Sequence, residues 1–108
     1  QVCAPAPAGQ TSGRDMTASE LKAWQASGRP HVLVDVREPR EHAAGAIDGD
    51  VLIPLGQLAD RVDELPAGTP IIAYCQGGGR SARAVALLRE LGREAHNLVG
   101  GYVGWRAS

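Results

Sequence analysis

Residues 71–91 read IIAYCQGGGRSARAVALLREL. The apolar run Ile71 to Tyr74 predicts a short buried strand, and Cys75-Gln76-Gly77-Gly78-Gly79-Arg80 follows it as a loop. From Ser81 the pattern changes to helical spacing. Ala84, Leu87, Leu88 and Leu91 share one face, Arg83, Arg89, Glu90 and Arg93 the other, and Gly92 is the stop. A strand that passes through a glycine loop into a helix is part of a βαβ unit, so this stretch points to an α/β fold.

Working outward, Ala95 to Val99 predicts another strand, and Gly100-Gly101 leads to a last helical turn around Trp105. On the N-terminal side, Leu55, Leu58, Ala59 and Val62 predict a helix ended by Pro66 and Gly68. Val51 to Ile53 is a short strand closed by Pro54. Glu38 to Ala44 predicts a short helix ending at Gly45, with a turn at Asp48-Gly49. His31 to Val36 predicts a strand buried on both faces. Thr17-Ala18-Ser19-Glu20 is a capping box that opens a helix carrying Leu21, Trp24 and Gln25 and stopped by Gly28. Residues 1–15, rich in Ala, Pro, Gly and Ser, predict a flexible tail or linker, and residues 16–108 a single domain. Strands alternating with helices predict a mostly parallel central sheet with helices on both faces.

Composition narrows the function. The chain has 108 residues with 11 basic and 12 acidic side chains, a balance that argues against a nucleic-acid surface. No apolar run is long enough for a membrane span, and no signal peptide is visible. The two cysteines, Cys3 and Cys75, cannot form a disulfide framework or a paired zinc motif, and His31, His42 and His96 lack metal-ligand spacing, so no metal is expected.

Cys75 is the candidate nucleophile. Free N–H groups at a helix start favour an anion and lower a thiol pKa. Gly77, Gly78 and Gly79 allow positive-φ curls that aim successive N–H groups inward, with Gln76 in the same cradle. Arg80 adds a fixed positive charge, expected to be the main one facing the sulfur, and Ser81 a hydroxyl. The competing reading is a buried structural thiol beside a flexible turn. The ordered combination of strand, Cys, glycines, Arg, Ser and helix favours chemistry.

In those residues the chain resembles the rhodanese family of sulfurtransferases. Tyr74 to Ala84 is similar to the family's active-site loop, and Asp35-Val36-Arg37-Glu38 to its DVRE segment. Glu41 to Leu55 follows the family's run to "I-P-L", and Asn97 to Trp105 its closing "N-L-x-G-G…W". Ala46 and Asp50 depart from it, standing where His and Ala are common. The resemblance implies a rhodanese-like α/β fold and transfer of a sulfane sulfur from a donor such as thiosulfate. The sulfur would pass through a Cys75 persulfide to a thiol, cyanide or sulfur-carrier protein, with no cofactor. Phosphatases that share the architecture place five residues between Cys and Arg, whereas four stand here, which favours sulfur over phosphate. The alternative implied is a sulfur-carrier or regulatory domain excised from a longer protein, an idea that the Pro/Ala-rich start and missing initial Met also suggest. A monomer or weak dimer is expected. A reduced thiol implies the cytoplasm, or the periplasm had a signal sequence been removed.

Asp35 and Arg37 are expected at the same sheet edge as Cys75, as structural support holding loop N–H groups and a surface ion pair. Arg37, Glu38, Arg40 and Glu41 are expected to pair locally across their short helix. Trp24 and Trp105 are expected core packers, and Cys3 an unrelated thiol.

Overall fold

The computed structural model describes residues 15–108. Five strands, β1 (Asp15–Met16), β2 (Val32–Asp35), β3 (Val51–Leu52), β4 (Ile71–Tyr74) and β5 (Ala95–Leu98), form one sheet. Five helices accompany them: α1 (Ala18–Ser27), α2 (Pro39–Ala44), α3 (Leu58–Arg61), α4 (Gly79–Glu90) and α5 (Gly101–Ala107). The sheet order is β1-β5-β4-β2-β3 with every pair parallel, so β4 lies at the centre.

Side-chain alternation along β4 builds two cores. Ile71 and Ala73 face one way, with Val34, Leu58, Ala84, Val85 and Leu88 from β2, α3 and α4. Ile72 and Tyr74 face the other way, with Leu21, Leu98, Trp24, Tyr102 and Trp105 from α1, β5 and α5. Full burial of each aliphatic side chain contributes about 1.5–3 kcal/mol. Cys75 continues the Ala73 side and belongs to the first cluster, which aims its sulfur toward α4.

Local signals set the element ends. Thr17 and Glu20 form the expected capping box, with Thr17 N–H to Glu20 Oε1 at 2.8 Å and Glu20 N–H to Thr17 Oγ1 at 3.1 Å. Gly28 ends α1 at φ +72°. Both features repeat what the spacing of those residues indicates.

Several expectations need correction. Asp15 does not belong to the tail: it pairs with Asn97 in β1, which is two residues long and shows no periodicity. The rest of the expected tail, Cys3 included, lies outside the described residues. The helix expected around Leu55 to Val62 is only one α-turn, Leu58–Arg61, between 3-10 turns at Leu55–Gln57 and Val62–Glu64. The central helix starts at Gly79, two residues before the expected Ser81. Its buried stripe is Ser81, Ala84, Val85 and Leu88, while Leu91 is exposed at the helix end. Arg93 turns back to donate to the carbonyls of Val62, Leu65 and Pro66.

Candidate active site

Cys75 leaves the end of β4 and is almost fully buried. The Gly78 N–H donates to its Sγ at 3.0 Å, and the Ser81 hydroxyl lies 3.4 Å from the same sulfur. Burial pushes the thiol pKa up, but the Ser81 hydroxyl and the N–H groups of Ser81, Gly78 and Gly77 outweigh it, and the pKa falls below the ordinary thiol value. Hydrogen bonds to the charged form and the start of α4 therefore favour a thiolate.

The glycines divide the work unequally. Gly78, the N-cap of α4, takes φ +114°, a conformation that side chains rarely tolerate. Gly77 and Gly79 have no positive φ, and a Cβ on either would meet open space. A fourth glycine matters more than the sequence indicated. Gly101 lies against the loop from α5, at φ +57°, where a Cβ would sit 2.6 Å from the Gln76 carbonyl oxygen and closer still to that of Cys75. From the start of α5, the Tyr102 N–H donates to Cys75 O at 2.8 Å and the Val103 N–H to Gln76 O at 3.2 Å. Those carbonyls are held by α5, away from the sulfur, while N–H groups from the other side of the loop reach Sγ.

Arg80 does not stand as a free charge facing the sulfur. Its Nη1 and Nη2 donate to Glu41 Oε1 and Oε2 at 2.7 and 2.9 Å, across a separation of 39 residues. That bond, followed by the Glu38 backbone N–H, lowers the Glu41 pKa to about 2. The bond to Glu41 is also the main reason the Arg80 pKa is raised. The local pairing expected within the short helix is thus replaced by a tie between α2 and α4. Glu38 and Glu41 instead form a capping box at the start of α2.

Asp35 and Arg37 lie at the sheet edge beside the cysteine loop, because Asp35 is paired with Tyr74 across β2 and β4. The pair expected at the surface is buried. Asp35 Oδ1 accepts from the Arg37 backbone N–H and Nε, both at 2.9 Å, and Oδ2 accepts from Nη2 at 2.9 Å. Burial pushes the Asp35 pKa up, yet the Arg37 hydrogen bonds hold it below the ordinary carboxylate value. Arg37 also donates to Gln76 Oε1 at 3.1 Å and Gly45 O at 2.7 Å, so it fixes the first residue of the cradle after the cysteine. Both Asp35 oxygens are thus engaged by Arg37, and Oδ2 by His42 as well.

His42, Asp50 and Tyr74 extend this network. His42 Nδ1 lies 3.0 Å from Asp35 Oδ2 and 3.5 Å from Asp50 Oδ2. Tyr74 Oη donates to Asp50 Oδ2 and accepts from the Ile47 N–H at 3.2 Å. Asp50, where the resemblance would favour Ala, is thus the acceptor for a buried phenol. One atom each from Asp35, His42 and Asp50 lie within 4.8 Å, but Arg37 and Tyr74 already occupy the carboxylates. His31 Nδ1 bonds to the Arg29 carbonyl, and His96 Nε2 to Glu94 beside Trp24.

Asn97, which the sequence marks only as part of the closing motif, accepts from Ser81 Oγ through its Oδ1 at 2.5 Å. Glu41, Asn97 and Gly101 join the site through contacts of long sequence separation.

A parallel α/β sheet that delivers one activated thiol to a cradle of backbone N–H groups defines a cysteine-loop domain. The chain belongs to the rhodanese-like domain family, whose model, Rhodanese-like domain, matches residues 17–108. It is 43% identical over 93 residues to YqhL of Bacillus subtilis, covering 85% of this chain and 74% of that protein. It is 37% identical over 107 residues to the probable adenylyltransferase/sulfurtransferase MoeZ of Mycobacterium tuberculosis, covering 96% of this chain but only 27% of MoeZ. The structure matches the rhodanese-like domain protein of Staphylococcus aureus with a TM-score of 0.81 at 34% identity, covering 85% of this chain and 90% of that one. The fold and family inferred from the motifs are those found.

Proposed function

We propose that this domain is a sulfurtransferase that carries a sulfane sulfur as a persulfide on Cys75, with no cofactor. The observation that carries the proposal is the cradle itself: Gly78 N–H at 3.0 Å from Sγ, assisted by the N–H groups of Gly77 and Ser81. The word sulfurtransferase in the name of MoeZ supports the same class. With thiosulfate, Cys75 thiolate attacks the outer sulfur and forms an S–S bond. The original S–S bond breaks, and its electron pair leaves with sulfite. A thiolate acceptor then attacks the outer sulfur of the persulfide and releases Cys75 thiolate. Charge is conserved in both steps, and no proton need move. The inward N–H groups can stabilise the negative sulfur in each state, and two such half-reactions give ping-pong kinetics.

Incubation with thiosulfate is expected to add one sulfur mass to the chain, and Cys75→Ser to abolish the adduct. An adduct that survived in Cys75→Ser would overturn the assignment. Thiocyanate formation from thiosulfate and cyanide reads the second half-reaction.

A second reading, that this is a carrier or regulatory domain working on a protein-borne sulfur, is favoured by one observation. Arg80 is paired with Glu41, so its charge is not free to draw thiosulfate to the loop. Persulfide transfer from a protein donor, with weak turnover of thiosulfate, would identify that case. For either reading we propose a reducing compartment and a monomer or weak dimer. Among the described residues no helix is long and apolar enough to cross a membrane.

A further inference from the structure

Ser81 is fully buried and has one hydroxyl proton for three acceptors. Its Oγ lies 3.4 Å from Cys75 Sγ, 3.2 Å from Gly78 O and 2.5 Å from Asn97 Oδ1. The Gly78 carbonyl already accepts the Ala82 N–H at 3.1 Å. The orientation of the Asn97 amide follows from its other neighbour. Its Nδ2 faces Gly78 O at 3.4 Å, and turning the amide over would set two acceptor oxygens against each other. The carboxamide oxygen therefore faces Ser81. Asn97 reaches it because Ala95 and Asn97 share the β5 face that packs on α4, and Asn97 is paired with Ala73, two residues before Cys75.

We propose that Asn97 is a positioning residue that competes with the cysteine sulfur for the Ser81 proton and thereby sets how readily Cys75 ionises. With a neutral thiol, the Ser81 O–H points to Asn97. When charge develops on Sγ, the hydroxyl rotates toward the sulfur and leaves the amide oxygen free. In a persulfide the charge moves to the outer sulfur, and the hydroxyl returns to Asn97. No covalent bond breaks in the switch. Of the other charged groups near the loop, Arg80 is paired with Glu41 and Asp35 with Arg37, and Arg106 lines the cavity beside Gln76. His96, also on β5, lies on the opposite face against Trp24.

The role in sulfur transfer rests on the function proposed above, but the test requires no sulfur donor and stands or falls separately. In a Cys3→Ser background Cys75 is the single thiol, and its ionisation is followed by thiolate absorbance against pH. Asn97→Leu, which keeps the side-chain size but removes the acceptor, is expected to ionise more readily. It should show about threefold to tenfold more thiolate at a pH below the wild-type midpoint, since a hydrogen bond to a charged group is stronger than one between neutral groups. Ser81→Ala is expected to do the reverse, and Asn97→Leu should have no further effect in that background. An unchanged or smaller thiolate fraction in folded Asn97→Leu would overturn the proposal. So would an equal gain in the absence of the Ser81 hydroxyl. Asn97→Ala, smaller and free of overpacking, gives the same reading if the Leu variant does not fold.

Discussion

A thiol that backbone donors favour as an anion and a buried carboxylate sit side by side at one edge of the sheet and are held by opposite means. The Cys75 sulfur, after β4, is ringed by neutral backbone N–H groups and a hydroxyl. The Asp35 carboxylate, at the end of β2, is gripped by a full guanidinium charge through three hydrogen bonds. A charge-assisted grip fixes its anion and leaves it inert. Backbone dipoles stabilise charge without forming a permanent ion pair, so the sulfur stays available to a donor. On the proposed function, the charged pair is scaffolding and the uncharged cradle is where reaction occurs.

The largest expected effect is on the charged side. Arg37→Ala would leave buried Asp35 without its main partner and cut the tie to Gln76. A loss of about 3–5 kcal/mol at neutral pH is expected from breaking a buried pair. The pH dependence has a definite sign. In the wild type the Asp35 pKa is held below its ordinary 3.8, so its stabilisation is present above that value and lost as pH falls through the folded pKa. In Arg37→Ala only the backbone N–H of residue 37 and His42 would remain to oppose burial, so the Asp35 pKa should rise relative to the wild type and the variant's deficit should narrow as pH drops toward 4. Urea unfolding at both pH values measures this; a deficit that widened in acid would break the contrast.

On the backbone side, Gly101→Ala is expected to act next most strongly. The new Cβ would overlap the carbonyls of Cys75 and Gln76, which are backbone atoms with no flexible end to swing aside. Strain of about 1–3 kcal/mol is expected, with displacement of the loop and a loss of persulfide formation exceeding the loss of stability. Comparing the adduct mass with the unfolding midpoint separates the two. An unaltered adduct rate in a folded variant would show that α5 does not hold the cradle.

These two sites also show what the sequence could and could not reveal. Cys75, its glycines and Ser81 were legible because strand, loop and helix follow one another in the chain, so local pattern and chemistry coincide. The parallel sheet was legible for the same reason, through alternation of strand and helix. Gly101, Glu41 and Asn97 were not, since each meets the loop through tertiary contact, and a Gly-Gly pair before a helix resembles any turn. The pairing of Arg80 was hidden on the same ground. Its charge is plain in the sequence, but the Glu41 that pairs with it lies 39 residues away and on another helix. Asp15–Met16 escaped because two residues cannot display a period.

The Arg80–Glu41 tie tests whether charge helps the sulfur at all. In Glu41→Gln the Arg80 guanidinium loses its anionic partner and stands as a net cation beside the loop. Thiosulfate is dianionic, so its KM should fall by a few-fold at low ionic strength and return toward the wild-type value with added salt. Since the Glu41 pKa is about 2 against an ordinary 4.5, the pair's stabilisation is present above pH 4.5 and lost toward pH 2. The wild type should therefore lose that contribution in acid and the variant should not, although a partly exposed pair contributes modestly. An unchanged KM would mean that the backbone cradle alone governs donor binding.

The smallest effect sharpens the comparison most, because it lies within the glycine run. Gly79 begins α4 with no positive φ and open space at its Cβ position, whereas neighbouring Gly78 is held at φ +114°. Gly79→Ala should be neutral or stabilise the fold by up to about 1 kcal/mol, by restricting the unfolded chain. Gly78→Ala should instead cost about 1–2 kcal/mol in backbone strain and disturb the N–H that reaches Sγ. Thermal unfolding and thiolate titration of the two variants separate a glycine required by the cradle from one that merely adjoins it. If both behaved alike, the curl at Gly78 would not be what aims the backbone donors at the sulfur, and the difference between the dipole-held and charge-held groups would need another origin.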